Sequence, residues 1–178
     1  MRAILVLASL STLALAACSQ QDAVAVGSPT AGGARATAML RTGTGGDAGR
    51  ATVTEVAGGL RYTLDVKGLS AGTHGAHIHT TGLCDGPDFT TAGGHWNPTT
   101  MKHGSMNPQG PHEGDLPNLI VGTDGRGTLG ITVPGATMTG LLDADGAAIV
   151  VHAGADDLMT DPSGNSGGRV ACGVFSAA

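Results

Sequence analysis

LRYTLDVKGL, residues 60–69, alternates apolar and polar side chains and runs into a glycine. A two-residue repeat sends successive side chains to opposite faces, which marks a strand with one face buried. Outward from it, similar short segments recur between Gly-rich and Asp-Gly turns. RATAMLRT (35–42) and RATVTEVA (50–57) precede it; GAHIHT (75–80), NLIVG (118–122), GTLGITV (127–133), AAIVVHAG (147–154) and RVACGVF (169–175) follow. Their content of Thr, Val and Ile predicts an all-β domain of about eight antiparallel strands, a sandwich or barrel, with no evident place for a long helix. Two stretches break the pattern, 80–117 and 153–168, and loops of that length without structure of their own usually carry function or are held by something else. Trp96, Tyr62, Phe89 and Phe175 are the only carbon-ring aromatics, so the core rests on aliphatic side chains.

The first residues read as targeting rather than fold. Residues 1–17, MRAILVLASLSTLALAA, carry one positive charge at Arg2, an apolar run and small residues before Cys18, the layout of a signal peptide. LAAC at 15–18 resembles the bacterial lipobox, in which the cysteine becomes the acylated N-terminus. The expected organisation is therefore a signal peptide over 1–17, a lipidated N-terminus and flexible tether over 18–34, and one domain over 35–178. That places the domain in the periplasm or cell envelope, touching membrane only through a lipid at Cys18. With Cys18 acylated, Cys84 and Cys172 remain, and an oxidising compartment favours their pairing. Loss of Arg2 leaves 8 of the 9 basic residues against 14 acidic ones, a side-chain balance of −6, with no basic cluster to suggest a nucleic-acid partner.

Six of the seven histidines fall into two sets that one another's presence explains. His77 and His79 stand at i and i+2 on a predicted strand, so both rings project from one face with Cα atoms about 7 Å apart, close enough to converge on one ion. His95, His103 and His112, followed by Asp115, lie in a loop of prolines and glycines with little apolar area to order it. Three imidazoles and a carboxylate match the tetrahedral N/O preference of zinc. His152 arrives at the same end of the sheet on the strand 147–152. His74, an odd number of positions from His77, is expected on the opposite face in a structural hydrogen bond joining strand to loop.

The motifs HGAHIHTTG, GGHWNP, KHG, HEGDLPN, VVHAGADDL and GNSGGRVACGV, in that order, resemble the copper/zinc superoxide dismutases from about Arg35 to Phe175. The resemblance implies a Greek-key β-sandwich with two long functional loops, one copper and one zinc ion per subunit, and superoxide as substrate. It implies copper ligation by His77, His79, His95 and His152 and zinc ligation by His95, His103, His112 and Asp115, with His95 bridging the two ions. It further implies that Asp156 links a copper ligand to a zinc ligand, that Arg169 stands beside the open copper position, and that Cys84 and Cys172 form a disulfide. In the implied mechanism one superoxide reduces copper and leaves as oxygen; a second reoxidises it and leaves as hydrogen peroxide, with His95 accepting and returning a proton. Catalytic roles thus fall to Arg169 and His95. Some relatives are homodimers and others monomers, and the sequence leaves both open.

Three departures from the family limit what carries over, two of them bearing on function and the third, at Phe175, a packing change of little functional consequence. The second loop, AGADDLMTDPSGNSGG, is shorter than in many eukaryotic relatives and has no lysine, which leaves steering of the anion to Arg169. The spacing from Cys84 to His95 is longer than in those relatives, so the packing of that subloop does not carry over. Phe175 stands in place of an aliphatic residue. A copper carrier on the same sandwich is the competing expectation, but carriers of this fold tend to lose copper ligands or the arginine, and both are present here.

Overall fold

The computed structural model describes residues 33–178; the expected signal peptide, Cys18 and residues 19–32 of the tether lie outside the described residues. Ten strands follow in order: β1 (Arg35–Thr42), β2 (Asp47–Val56), β3 (Gly59–Val66), β4 (Gly72–His74), β5 (Ala76–His79), β6 (Leu119–Val121), β7 (Gly127–Pro134), β8 (Ala148–His152), β9 (Arg169–Val174) and β10 (Ser176–Ala177). A single-turn helix α1 (Met138–Leu141) sits between β7 and β8. The main antiparallel sheet runs β5-β8-β9-β1-β2-β3-β7, with β10 added to β1, and β4 pairs with β6 in a separate two-stranded sheet. β3 pairs with β7 across three intervening strands in sequence, a Greek-key crossing.

All eight expected segments are strands, and two elements are additional. β10 extends the C-terminal edge, where Ala36 faces Ala177 and Thr37 faces Ser176. β4 exists because the strand expected over 75–80 is the second half of a broken one. At Gly75 the chain leaves β6 as partner and joins β8: the Gly75 N–H donates to the Gly154 carbonyl, and the Gly75 carbonyl accepts from the His152 N–H. A side chain there would meet Ser166 Cβ at 2.8 Å and the His77 ring at 3.2 Å, so the crossing needs glycine.

The core follows from the alternation. Ala36, Ala38 and Leu40 of β1, Ala51 and Val53 of β2, and Leu60, Tyr62, Leu64 and Val66 of β3 are buried together with Ile78, Leu116, Leu119, Ile149 and Val151. Cross-strand registry stacks them in rows, as in Ala38–Ala51 and Ala51–Leu64. The Phe175 ring meets Tyr62 edge-on at 6.2 Å, which gives the aromatic residue near the C-terminus a packing role inside the sandwich. β8 is buried along its whole length, which is why it reads as a continuous apolar run. Its outward residues Ala148 and Val150 are covered by Phe89, Ala92 and Cys172. Phe89 belongs to the long Cys84–His95 subloop, and the Cys84–Cys172 disulfide, with Cα atoms 5.7 Å apart, staples that subloop to β9.

The two long loops lie against each other at one end of the sheet. The Met106 N–H donates to the Leu158 carbonyl at 2.9 Å, and Asn107 Nδ2 donates to the Met159 carbonyl at 3.2 Å. Asn118 receives the Asp156 N–H at its Oδ1 and donates Nδ2–H to the Asp156 carbonyl, both at 2.8 Å. Apart from the stapled subloop and the buried Trp96 and Leu116, the facing parts of the two loops have little core of their own and are ordered by each other and by the side chains between them.

Candidate metal centre

β5 forms one edge of the main sheet, and two loop segments cover that edge. The Trp96 N–H donates to the Ile78 carbonyl and the Ile78 N–H to the Gly114 carbonyl, each at 2.8 Å. This pairing seats His95 opposite His79 and Asp115 opposite His77. Gly114 runs so close that a Cβ would lie 2.4 Å from the Ile78 carbonyl oxygen. Residues far apart in sequence are thus delivered to the two histidines that the strand period already places on one face, and β8 brings His152 alongside.

His77, His79, His95 and His152 offer ring nitrogens that all lie within 4.8 Å of one another. One nitrogen of each ring has a partner. His77 Nε2–H donates to Asp156 Oδ2 at 2.8 Å, His79 Nδ1–H to the Gly93 carbonyl at 2.9 Å and His152 Nδ1–H to the Gly167 carbonyl at 3.1 Å. His95 Nδ1 lies 2.8 Å from Asp115 Oδ1. The other nitrogens, His77 Nδ1 and Nε2 of His79, His95 and His152, are buried without any partner. Buried polar atoms are nearly always satisfied, and lone pairs converging from four rings ask for a cation. Burial pushes the pKa of His79 down to about 2 and those of His95 and His152 down to about 4, so these imidazoles are neutral at pH 7 and in ligating form.

A second group lies beside the first and shares His95. Asp115 Oδ1 is 2.8 Å from His95 Nδ1, 3.0 Å from His103 Nδ1 and 3.1 Å from His112 Nδ1, and the His95 and His112 nitrogens are 3.4 Å apart. A tetrahedral ion with ligands at about 2.0 Å sets its ligand atoms about 3.3 Å apart, so this cage has the size and donor set of a closed zinc site. The other carboxylate oxygen of Asp115 accepts the Gly104 and His112 amides at 2.8 and 3.0 Å, fixing the carboxylate plane. Burial opposes ionisation of Asp115, but hydrogen bonds from His95 and the Gly104 amide prevail and hold it below the usual carboxylate range.

Asp156 ties the groups together from behind. Its Oδ2 accepts from His77 and its Oδ1 accepts from His103 Nε2–H at 3.0 Å, while the Leu158 N–H donates to the same Oδ1 at 2.7 Å. Burial works against its charge, yet those donors hold its pKa down to about 2. Both rings present Nε2 to Asp156 and therefore Nδ1 to the cages, so His77, His103 and Asp156 form a linking bridge rather than a third ion site. Gly164 closes on this carboxylate with φ +61°, leaving no room for a side chain.

Arg169, the first residue of β9, reaches over the first group. Its Nη2–H donates to the Gly93 carbonyl at 2.7 Å and its Nη1–H to the Phe89 carbonyl. Burial draws its pKa below the ordinary arginine value. With His79, His95, His152, Pro162 and Ser163 it lines a cavity of about 210 Å³. A larger cleft of about 320 Å³ lies beside the Asp47–Lys67 ion pair but holds no histidine, so size does not mark the site here; ligand density does. His74 lies outside both groups, bonded through Nδ1 to the His152 carbonyl at 2.7 Å and through Nε2 to the Ser70 carbonyl at 3.0 Å. Asn118, Gly164 and the carbonyls of Phe89 and Gly93 were not singled out by sequence reasoning. Asn118 closes the motif HEGDLPN and was within reach of it; a backbone carbonyl leaves no sequence signal.

The model of the family described as copper/zinc superoxide dismutase matches residues 47–175. A copper/zinc superoxide dismutase of Caulobacter vibrioides is 47% identical over 147 residues, covering 79% of this chain and 84% of that protein. One of Deinococcus radiodurans is 42% identical over 180 residues, covering 93% and 91%. Among solved structures, a superoxide dismutase-like protein of Bacillus subtilis superposes with TM-score 0.74 at 39% identity, covering 78% of this chain and 96% of that one. The copper/zinc enzyme of Brucella abortus superposes with TM-score 0.64 at 29% identity, covering 79% and 98%. The matched region begins at β2 and takes in both loops and every residue of the two cages, so this chain belongs to the copper/zinc superoxide dismutases, enzymes that convert superoxide to oxygen and hydrogen peroxide with a copper and a zinc ion.

Proposed function

We propose that copper is held by His77 Nδ1 and by Nε2 of His79, His95 and His152, and zinc by Nδ1 of His95, His103 and His112 with Asp115. The observation that carries this assignment is the set of four buried imidazole nitrogens without partners, each on a ring whose other nitrogen is engaged. Copper, when bound, supplies the one-electron chemistry, because imidazole ligands accommodate both of its oxidation states. Dismutation consumes two superoxide anions and two protons for each oxygen and hydrogen peroxide formed. The chain must therefore attract an anion twice per cycle and supply protons at the mouth.

His95 meets the second need. With Nδ1 committed to the zinc cage, the one ring nitrogen left to face the copper group is Nε2, which can take and return a proton only while it is not ligating. His103, His112 and Asp115 keep that ring from turning, the orienting role that neighbours of a ligand play in metal sites. Arg169 meets the first need. The chain carries a formal charge of −5, yet charges beyond a Debye length of about 8 Å are screened at physiological salt, and against the nearer Asp88, Asp115 and Asp156 it is the guanidinium together with the bound metal cations that would outweigh the acids. The N-terminal sequence supports a location as well: a signal peptide over 1–17 and acylation at Cys18 would put the enzyme on the oxidising side of a bacterial envelope, where a Cys84–Cys172 disulfide persists.

The test is superoxide-dependent turnover of protein reconstituted with both metals, against His152→Ala. The variant is expected to retain zinc, lose copper and lose turnover. A wild type no faster than the variant would defeat the assignment, and copper carriage without turnover would become the better reading.

A further inference from the structure

The second long loop sends one carboxylate outward across the seam to the first. Asp161 Oδ1 accepts the backbone N–H of His103 at 2.9 Å, and its Oδ2 accepts from Lys102 Nζ at 3.0 Å. The next amide along, that of Gly104, is taken by Asp115 Oδ2 at 2.8 Å. The peptide groups on both sides of His103 are thus pinned by carboxylates, one from each loop. Gly104 itself lies against the Leu158 backbone with no space for a side chain.

The turn that carries Asp161 is set before it reaches across. Asp157 Oδ1 accepts the Met159 and Thr160 amides at 2.9 and 2.8 Å, and the Gly164 N–H donates to the Thr160 carbonyl at 2.7 Å. A carboxylate presented by such a turn is a fixed acceptor, and a hydrogen bond to an ionised acceptor is stronger than a neutral one. The ion pair with Lys102 is different in kind. Both side chains are about half exposed, at 55% and 40%, and pairs in that setting contribute little.

We infer that Asp161 is a positioning residue for the zinc cage: it fixes the main chain of His103, and through it the ring whose Nδ1 enters the cage. This rests on the zinc assignment made above. His103 is then held at four points: Nδ1 at the cage, Nε2 at Asp156, its own amide at Asp161 and the following amide at Asp115. Loss of Asp161 frees only the third and leaves every ligand in place.

The experiment uses the full chain loaded with copper and zinc and follows zinc release to a chelating dye. Asp161→Ala is expected to release zinc about tenfold faster, the lower end of the effect of removing a residue that orients a ligand. Asp161→Asn keeps an oxygen for the His103 amide but not its charge and is expected between wild type and Asp161→Ala, whereas Lys102→Ala removes only the exposed partner and is expected within about twofold of wild type. If Asp161→Ala yields no folded protein, Asp161→Ser, whose hydroxyl falls short of the amide, replaces it. Wild-type release from Asp161→Ala, or equally fast release from Asp161→Asn or Lys102→Ala, overturns the inference while leaving the zinc site intact. Failure of the wild type to take up zinc overturns the zinc assignment, and the inference with it.

Discussion

Gly164→Ala tests the centre by adding one methyl group. Gly164 has φ +61°, and a Cβ built there would sit 1.7 Å from Asp156 Oδ1 and 2.8 Å from His103 Nε2. Left-handed backbone alone costs an alanine roughly 1–2 kcal/mol. The contact costs more, because Asp156 must withdraw from buried ring donors on His77 and His103, and each donor left unsatisfied costs about 1–3 kcal/mol. The expected loss is therefore roughly 3 kcal/mol or more in the metal-free protein, measured by denaturant unfolding with the disulfide intact. Gly58→Ala is the control: φ is +82° in the turn between β2 and β3, and nothing lies within 4 Å of the added carbon, so only the backbone cost applies. In the loaded protein Gly164→Ala should weaken zinc and copper about 10–100-fold, as loss of an orienting carboxylate does, while Gly58→Ala leaves both unchanged. Equal destabilisation of the two variants, or wild-type metal affinity in Gly164→Ala, would refute the claim that the Asp156 bridge holds the ligands.

Two further outcomes follow. Arg169→Ala should keep both metals and lower turnover about tenfold or more at low salt, with a flatter dependence on ionic strength; unchanged activity across salt would sink the steering role. The stability of the metal-free protein should fall with acidity. His79, His95 and His152 titrate at about 2, 4 and 4 when folded, so between pH 6.5 and 4 the unfolded chain takes up protons that the native one refuses. Stability is then full above pH 6.5 and declines by up to about 4 kcal/mol per pH unit below it. Asp115 and Asp156, both lowered, extend the decline below pH 4. Unfolding midpoints at pH 7.5, 5.5 and 4.5 measure this, and a flat profile would contradict it.

Much of the site was legible because its signals are periodic or chemically rare. His77 and His79 announce a strand face by their spacing, and residues 147–152 announce a strand by their Ala, Ile and Val content but not its burial on both faces, which comes from the subloop laid over it. The orientation of His74 is less legible, because the break at Gly75 separates β4 from β5 and counting residues does not carry orientation across it. The Cys84–His95 subloop was opaque for another reason. Its order comes from burying Phe89 and Ala92 over Val150 and the disulfide, contacts between segments with no local pattern. Asp161 illustrates a third kind of silence, since a carboxylate that serves a main-chain amide looks like any solvated acid until the two loops are brought together.

The Gly93 carbonyl has two lone pairs and gives one to each half of the mouth, receiving His79 Nδ1–H at 2.9 Å and Arg169 Nη2–H at 2.7 Å. The proposed ligand His79 and the proposed steering group Arg169 therefore share one acceptor atom, and Arg169 has a second anchor at the Phe89 carbonyl. When the subloop breathes, both partners are carried by the same peptide unit, and the gap between them changes less than the position of either. The spacing across the mouth is thus set from one peptide unit, itself held by a subloop that the disulfide and the buried Phe89 tie to the sheet.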